Sequence, residues 1–174
     1  QVKITAVATD GDLKSGTTDV VAGNTYGGSG LNFTPDLNAN GASYATFTYQ
    51  ADDGTDTSGD CVMTINVTPV NDGPIAIAAS YTFNEGSSNT DVSSVLANDT
   101  DPESDVFTAA LVSGVSNGTL TLNADGTFDY THNGGETTSD SFSYKANDGE
   151  ADGNTVTVSI TIIGVNDAPE LIVP

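Results

Sequence analysis

Oxygen-bearing side chains gather in a few short segments of this sequence, and calcium binding is the chemistry that they suit. The acidic and amide residues of these segments are Asn71, Asp72, Glu85, Asp99, Asp101, Glu103 and Asp148. Ca²⁺ takes about 6–8 oxygen ligands and tolerates irregular geometry, whereas Mg²⁺ keeps its water and demands an octahedron. Carboxylates held close together repel one another unless a cation screens them. The clusters therefore predict Ca²⁺ as a cofactor; the alternative is a solvated acidic face that keeps the protein soluble.

Side chains that usually carry catalysis are scarce. His132 is the single histidine and Cys61 the single cysteine, which excludes an intramolecular disulfide and a cysteine-based zinc cluster and disfavours nucleophilic triads. We interpret Cys61 as a small buried hydrophobic residue and His132 as a satisfied surface residue. Asp99 and Asp101 have the residue types for glycoside hydrolysis, but turn carboxylates in open loops lack the groove that this reaction needs. The sequence therefore predicts that the protein is not an enzyme.

The charge balance excludes two classes of partner. The chain of 174 residues carries 24 Asp and Glu against 3 Lys and Arg, for a formal net charge of −21. So few basic side chains cannot neutralise phosphates, which excludes nucleic acid and disfavours anionic membrane surfaces. No apolar run approaches the roughly 20 residues of a membrane-spanning helix, so no membrane insertion is expected. The sequence opens at Gln1 without a leader pattern, which we interpret as a mature form or an excised fragment.

The elements that would position the acidic residues occur in two copies. The segment ATFTYQADDGTD matches SFSYKANDGEAD further along, and Asp53 and Asp148 are 148 − 53 = 95 positions apart. CVMTINVTPVNDGPI matches VTVSITIIGVNDAPE at the same offset, since Asp72 and Asp167 are also 95 positions apart. The repeat has the size of an immunoglobulin-like sandwich domain.

Alternating apolar residues predict β-strands in each copy. Apolar and polar residues alternate from Val156 to Ile162, and the sequence Asn-Ala-Asp-Gly separates Leu120 and Leu122 from Phe128 and Tyr130. Asp-Gly between two such runs is a strong hairpin signal, and no segment shows helical periodicity. The predicted fold class is all-β, with antiparallel strands joined by tight turns.

The first copy has no segment that corresponds to the start of the second copy. We predict an incomplete sandwich, a complete sandwich and the start of a following repeat, at residues 1–70, 71–166 and 167–174. Residues 2–7 resemble the stretch 107–112, so one or two N-terminal strands are missing from the first copy. Their loss would expose an unpaired edge. Three explanations stay open: the fragment was cut there, the missing part precedes an upstream insertion, or another chain supplies the strand, for example through its residues 171–174.

The stretch from about Asn71 to Pro169 resembles the bacterial cadherin-like repeats of the VCBS or tandem-95 type, which occur in very long secreted adhesins. The resemblance rests on the boundary motif V-N-D-x-P at residues 70–74 and 165–169, with LANDTDPE, NGTLTLNADGTFDYTH, ETTSDSFSYKANDG and the final alternating strand. It also covers the later two thirds of the first copy. It implies two tandem immunoglobulin- or cadherin-like Greek-key sandwiches, the first lacking its N-terminal strand or strands, with Ca²⁺ sites that rigidify the joints.

The resemblance also implies which residues hold calcium. At the end where the linker enters the second sandwich, the upper set is Asn71, Asp72, Asp99, Asp101, Glu103 and Asp148. Towards a third domain, the lower set is Glu85, Glu136, Asp140, Asn166 and Asp167. The cadherin linker reads Asp-x-Asn-Asp-Asn, and Pro69 or Gly164 stands here in place of the first Asp. Each joint is therefore expected to bind fewer ions than an animal cadherin joint.

These inferences predict a calcium-stabilised structural extender, an adhesion repeat of a large bacterial extracellular adhesin that is secreted or displayed on the cell surface. Its expected partners are neighbouring repeats of the same polypeptide. Two alternatives stay open. One is a calcium-dependent module that binds a surface polysaccharide or another copy of itself. The other is a strand-donating filament subunit.

Overall fold

The structure is a computed structural model that describes residues 1–7, 10–27 and 29–166. Its internal contacts divide the chain into unit 1, residues 1–70, and unit 2, which begins at Asn71. Within the described residues the regular elements are β-strands and one short 3₁₀ helix, Val95–Asn98. The all-β fold class predicted from the alternating pattern is confirmed. The predicted start of a following repeat, residues 167–174, lies outside the described residues.

Unit 1 contains two sheets and a small core. Its strands are β1 Val2–Ala6, β2 Asp12–Ser15, β3 Thr18–Asp19, β4 Thr25–Tyr26, β5 Leu31–Thr34, β6 Gly41–Ala51 and β7 Cys61–Val67. One sheet has the order β4-β1-β6-β7 and the other the order β3-β2-β5. The buried residues of the core are Ile4, Val20 and Phe47.

Unit 2 is a sandwich with a larger core. Its strands are β8 Ser80–Asn84, β9 Ser88–Val92, β10 Thr108–Ser113, β11 Gly118–Leu122, β12 Phe128–His132, β13 Ser139–Asn147 and β14 Asp152–Ile163. The sheets have the orders β10-β13-β14-β8 and β11-β12-β9. Buried side chains from both sheets meet between them, including Phe128, Tyr130, Phe142, Tyr144 and Val158.

The predicted hairpin forms at the turn between β11 and β12. Leu122 lies opposite Phe128 and Leu120 opposite Tyr130 in an antiparallel ladder. Gly126 has a φ of 81°, a backbone conformation that favours glycine over any residue with a Cβ. The Asp-Gly signal in the sequence therefore identified the turn.

The long hairpin of each unit has the same register. Phe47 lies opposite Met63 in the β6–β7 pair, and Phe142 lies opposite Val158 in the β13–β14 pair. In unit 2 the strand β8 adds to β14 in parallel, whereas β7 is the edge of its sheet in unit 1. The prediction that Cys61 is buried is wrong: Cys61 is exposed, because it lies on this edge strand.

Candidate metal centre

Residues 71–77, the linker segment, lie against the start of β14. Gly153 has no room for a side chain, because an added Cβ would collide with the Pro74 carbonyl oxygen. Next to it, Asn154 accepts from the Ala76 N–H and donates to the Ala76 carbonyl, each at 2.9 Å. The sequence analysis did not identify these two residues. The dipeptide Gly-Asn directly after Asp152 is nevertheless the feature that holds the linker segment in place.

The loop after the 3₁₀ helix is tied to the same linker segment. Ile75 and Thr100 exchange two backbone hydrogen bonds, with N···O distances of 2.7 and 3.1 Å. The Asp99 carboxylate accepts from the Ile77 N–H and from the Tyr144 hydroxyl, both at 2.8 Å. Burial raises the pKa of the Tyr144 hydroxyl, and the hydrogen bond to Asp99 raises it further. Asp99 therefore anchors the loop to both the linker and the core.

Asp101 presents a carboxylate oxygen that no donor among the described residues satisfies. Its Oδ1 accepts from the N–H groups of Glu103 and Asp105 at 2.9 and 3.0 Å. Its Oδ2 is buried and has no hydrogen-bond partner among the described residues. A buried acceptor without a partner costs roughly 1–3 kcal/mol, and more when it is charged. A cation beside Oδ2 would remove this cost, so the surroundings of Asp101 fit a metal ion.

The linker residues Asn71 and Asp72 meet the two acidic loops. The Asp72 N–H donates to Glu103 Oε2 at 3.3 Å, and Asn71 Nδ2 donates to Asp148 Oδ2 at 2.9 Å. The other oxygen of Asp148 accepts two backbone N–H groups of its own turn. The N–H of Ala151, followed by the Asn71 amide, holds the pKa of the Asp148 carboxyl below its usual range. Asp148 is therefore ionised at neutral pH and faces the linker.

The structure thus brings the upper set together at one end of unit 2. The connected residues are Asn71, Asp72, Asp99, Asp101, Glu103 and Asp148. In the part of the chain that the structure describes, no three carboxylate, imidazole or thiol side chains are grouped closely enough to hold a metal by themselves. Since Ca²⁺ takes about 6–8 oxygens, amide, backbone and water oxygens would have to complete its coordination here.

The lower set is more dispersed at the opposite end of unit 2. Glu85 Oε2 accepts from the Val165 N–H at 2.9 Å, which fixes the chain just after β14. Glu136 and Asn166 are both exposed. Asp167, the last predicted ligand of this set, lies outside the described residues.

Asp140 has a different environment from the rest of the lower set. Its carboxylate is 9% exposed and accepts four hydrogen bonds, from the N–H groups of Ser116, Asn117 and Ser141 and from the Tyr130 hydroxyl. Burial raises the pKa of this carboxyl, but the four donors together hold it below its usual range. Each oxygen already has two donors, so we leave Asp140 out of the proposed calcium set.

His132 is buried, at 3% exposed, and its interpretation as a surface residue is wrong. Its Nδ1 accepts from the N–H groups of Gly86 and Gly134 at 3.1 and 3.3 Å, which leaves the ring proton on Nε2 beside Thr137 Oγ1. The sequence could not reveal this environment, because Gly86, whose N–H group contacts the His132 ring, is 46 positions away in sequence. His132 ties the β8–β9 turn to the loop after β12.

A sandwich whose acidic loops and linker meet at one end is the architecture of a cadherin-like repeat. The family model of the bacterial cadherin-like domain matches residues 71–164, and the chain belongs to this family. The resemblance inferred from the sequence motifs is thereby confirmed. Cadherin-like domains are a family involved in adhesion.

Several solved structures are similar to this chain at low sequence identity. The human mucin-like protocadherin EC1-2 is 14% identical, with a TM-score of 0.50 over 95% of this chain and 84% of that chain. Protocadherin gamma B2 domains 1-5 are 15% identical, with a TM-score of 0.45 over 95% of this chain and 34% of that one. The endo-fucoidan hydrolase MfFcnA4, of glycoside hydrolase family 107, is 17% identical, with a TM-score of 0.40 over 95% of this chain and 24% of that one. The chain thus spans about a third and a quarter of the last two proteins.

No curated protein matches the sequence. Among the described residues, no helix has the length and apolar character needed to cross a membrane.

Proposed function

We propose that this chain is a calcium-stabilised structural repeat of a large extracellular bacterial adhesin. Its role is to extend and stiffen the polypeptide, with neighbouring repeats as partners and no catalysis of its own. The observation that carries the proposal is Asp101 Oδ2, a buried carboxylate oxygen that has no donor in the described part of the chain, in a loop that is tied to the linker segment.

The ligands we assign to the ion are the upper set, with Asp101 at its centre. When bound, calcium supplies the positive charge that offsets the mutual repulsion of these carboxylates. The chain's own part is to hold the oxygens in place. Asn154 and Gly153 fix the linker, Tyr144 and Ile77 fix Asp99, and backbone N–H groups fix one oxygen each of Asp101 and Asp148.

The lower set without Asp140 is proposed as a second, weaker calcium site. Glu85, Glu136 and Asn166 lie on the same end of unit 2, and Asp167 follows directly in sequence. Because Glu136 and Asn166 are exposed, this site would need oxygens from a following repeat. Binding of a polysaccharide stays a prediction from the sequence.

The proposal is tested by thermal unfolding of the full chain in EDTA, in Mg²⁺ and in Ca²⁺, together with its hydrodynamic size. Extracellular modules bind Ca²⁺ at about 10⁻⁴–10⁻³ M, so titration to several millimolar covers the range. A site filled at about 100 times its dissociation constant adds about 2.7 kcal/mol to stability. We expect a higher midpoint and a longer particle in Ca²⁺ but not in Mg²⁺.

Two variants make the test specific. Asp101→Asn removes the charge at the unsatisfied oxygen, so it should abolish the calcium response while leaving the midpoint in EDTA unchanged or higher. Asp91→Asn, which alters an exposed carboxylate on β9, is the matched control and should retain the full response. Equal calcium responses of the two variants, or no response of the parent chain, would reject the proposal.

A further inference from the structure

The loop after β12 contains a dipeptide that can modify itself. The sequence Asn-Gly occurs at residues 40–41, 117–118 and 133–134. In such a pair the glycine nitrogen can attack the side-chain carbonyl carbon of the asparagine, because glycine has no side chain to hinder the approach. The attack closes a succinimide ring and releases ammonia. It is favoured by a base for the glycine N–H and by a donor for the carbonyl oxygen.

His132 places a base at the nitrogen of Gly134. The Gly134 N–H donates to His132 Nδ1 at 3.3 Å, so an unprotonated ring nitrogen faces the proton that the reaction must remove. Thr137 Oγ1 lies 3.0 Å from Nε2 and the Gly86 N–H lies 3.1 Å from Nδ1, and both contacts favour the tautomer with its proton on Nε2. Imidazole is the side chain that most often acts as a general base.

Gly135 places a donor at the carbonyl oxygen of Asn133. The Gly135 N–H donates to Asn133 Oδ1 at 2.9 Å. A donor here stabilises the negative charge that the oxygen gains when its carbon is attacked. Two backbone hydrogen bonds hold the loop, from the Asn133 N–H to the Asn117 carbonyl at 3.0 Å and from the Thr137 N–H to the Gly135 carbonyl at 2.8 Å. The base and the donor are therefore in place before the reaction begins.

The reacting pair is also open to solvent. Asn133 and Gly134 are exposed, although the His132 ring beneath them is buried. A Cβ added at Gly134 would meet no atom within 4 Å. Water can therefore reach the ring that forms, and ammonia can leave.

The other two Asn-Gly pairs have different surroundings. His132 is the single histidine of the chain, so neither pair has an imidazole of its own. The Asn117 side chain donates to the Ser139 carbonyl at 3.2 Å, and Gly118 lies in β11, where an added Cβ would collide with the Thr131 carbonyl oxygen. Residue 40 is exposed, and the glycine after it begins β6. These pairs serve as internal references.

We propose that Asn133 is a self-modification site, which the fold converts to aspartate and isoaspartate. His132 Nδ1 removes the Gly134 amide proton while that nitrogen bonds to Cγ of Asn133. The bond from Cγ to Nδ2 then breaks, the imidazolium returns the proton to the departing nitrogen, and ammonia leaves. One water opens the succinimide at either carbonyl. The net change is hydrolysis of one side-chain amide, without oxidation or reduction, and it adds one negative charge to the loop.

The direct test compares the three Asn-Gly pairs in one sample. The folded full chain is incubated at neutral pH in EDTA, so that the result is independent of calcium binding. Chymotrypsin then separates the pairs into different peptides, and mass spectrometry measures the replacement of the side-chain NH₂ by OH. We expect Asn133 to convert at least tenfold faster than Asn40 or Asn117, because a positioned general base contributes about 10²–10⁴-fold.

The same chain in denaturant is the first control. The three pairs have the same dipeptide sequence, and unfolding removes the hydrogen bonds that position Gly134 and Gly135. The three rates should therefore converge.

Three variants test the assigned roles, with circular dichroism to verify folding. His132→Gln removes the base but keeps an oxygen acceptor for the Gly86 N–H, and it should slow conversion of Asn133 at least tenfold. Thr137→Val keeps the ring and removes the oxygen beside Nε2, so it should slow conversion about threefold or more, since a base acts best when a third group orients it. Thr138→Val makes the same change at an exposed neighbouring position and should leave the rate unchanged.

Three results would overturn the inference. The first is conversion of Asn133 in the folded chain that is no faster than conversion of Asn40. The second is a preference for Asn133 that persists in denaturant, which would mean that local sequence and not the fold selects it. The third is an undiminished rate in folded His132→Gln or, if that variant does not fold, in Thr137→Val; another group would then remove the proton.

Discussion

Units 1 and 2 share a repeated sequence and the same central hairpin, yet only unit 2 has a closed core. Phe142 and Val158 are 1% and 0% exposed, whereas their equivalents Phe47 and Met63 are 8% and 44% exposed. The contrast shows that two properties of a repeat, the pairing of its strands and the burial of its core, need not occur together. The pairing of neighbouring strands is local and repeats with the sequence, but burial depends on a strand that comes from elsewhere in the chain.

The acidic positions differ between the units as well. Gly41 and Ala45 of unit 1 take the places that Glu136 and Asp140 have in unit 2, each 95 positions later. Ala45 is buried as an apolar residue, while Asp140 is buried as a carboxylate with four donors. Unit 1 therefore has the apolar strands of the repeat but lacks the acidic residues at these two positions.

The largest expected effect comes from placing a charge at the equivalent core position of each unit. Val158→Asp buries an unpaired carboxylate and should cost unit 2 about 3–5 kcal/mol, as an uncompensated buried charge does. Met63→Asp should cost unit 1 much less, because its side chain reaches water. Hydrogen exchange resolved by peptide measures both units in one sample. Equal losses would mean that the core of unit 1 is closed in solution.

Calcium should act unequally on the two units. At about 100 times the dissociation constant we expect about 2.7 kcal/mol of added protection in unit 2 and little in unit 1. The reason is that the proposed calcium ligands around the linker, among them Asp72, Asp101 and Asp148, lie in unit 2. The same hydrogen-exchange experiment, with and without EDTA, gives the measurement. An equal gain in protection from hydrogen exchange in both units would contradict this prediction.

Replacing the buried carboxylate should weaken unit 2 by about 1–3 kcal/mol. In Asp140→Asn an NH₂ group faces donors that previously met an oxygen, so at least one hydrogen bond is replaced by a repulsive contact. Denaturant unfolding followed by circular dichroism measures the loss. The control is Asp91→Asn, which makes the same change at an exposed position and should have little effect.

The same carboxyl predicts a dependence on pH. The pKa of Asp140 is lower in the folded state than in the unfolded chain, so its ionised form stabilises the fold above the unfolded pKa. This contribution is lost as the pH falls through the lowered folded pKa. The parent chain should therefore lose more stability than Asp140→Asn between neutral pH and the acid range. Parallel acid titrations of the two proteins would contradict this.

The smallest expected effect concerns the surface ion pairs. Lys145 contacts Asp152 in unit 2, and Lys14 lies 3.4 and 3.6 Å from Asp12 and Asp19 in unit 1. All of these side chains are about a third exposed or more, so solvent screens the ion pairs, and Lys145→Ala and Lys14→Ala should each change stability only slightly. Thermal unfolding of the two variants checks this. A larger loss in one unit would show that ionic contacts, rather than core closure, distinguish the units.

Much of the fold could be predicted because its signals are local. Alternating apolar residues and the Asp-Gly turn identify the hairpin between Leu122 and Phe128, and the 95-position offset identifies the repeat. The exposure of Cys61 could not be predicted in this way. The offset aligns Cys61 with Val156, but burial does not repeat where the covering strand is absent from the described residues.

The acidic residues of the candidate site could be identified from the sequence, but the residues that hold them in place could not. Acidic residues at strand ends indicate a calcium site, and the upper set does meet at one end of unit 2. The residues that hold it, Gly153, Asn154 and Tyr144, act through partners about 45 to 80 positions away in sequence. Likewise Asp140 resembles any other loop carboxylate until its three backbone donors and Tyr130 are seen around it.

The parallel pairing of β8 with β14 has a mechanical consequence. These are the first and last strands among the described residues of unit 2, and because they run in the same direction, they begin at one end of the unit and finish at the other. Tension along the polypeptide therefore acts along both strands, so the hydrogen bonds between residues 80–84 and 159–163 are loaded together in shear. We therefore expect this strand pair to resist stretching more than a pair whose hydrogen bonds open one after another.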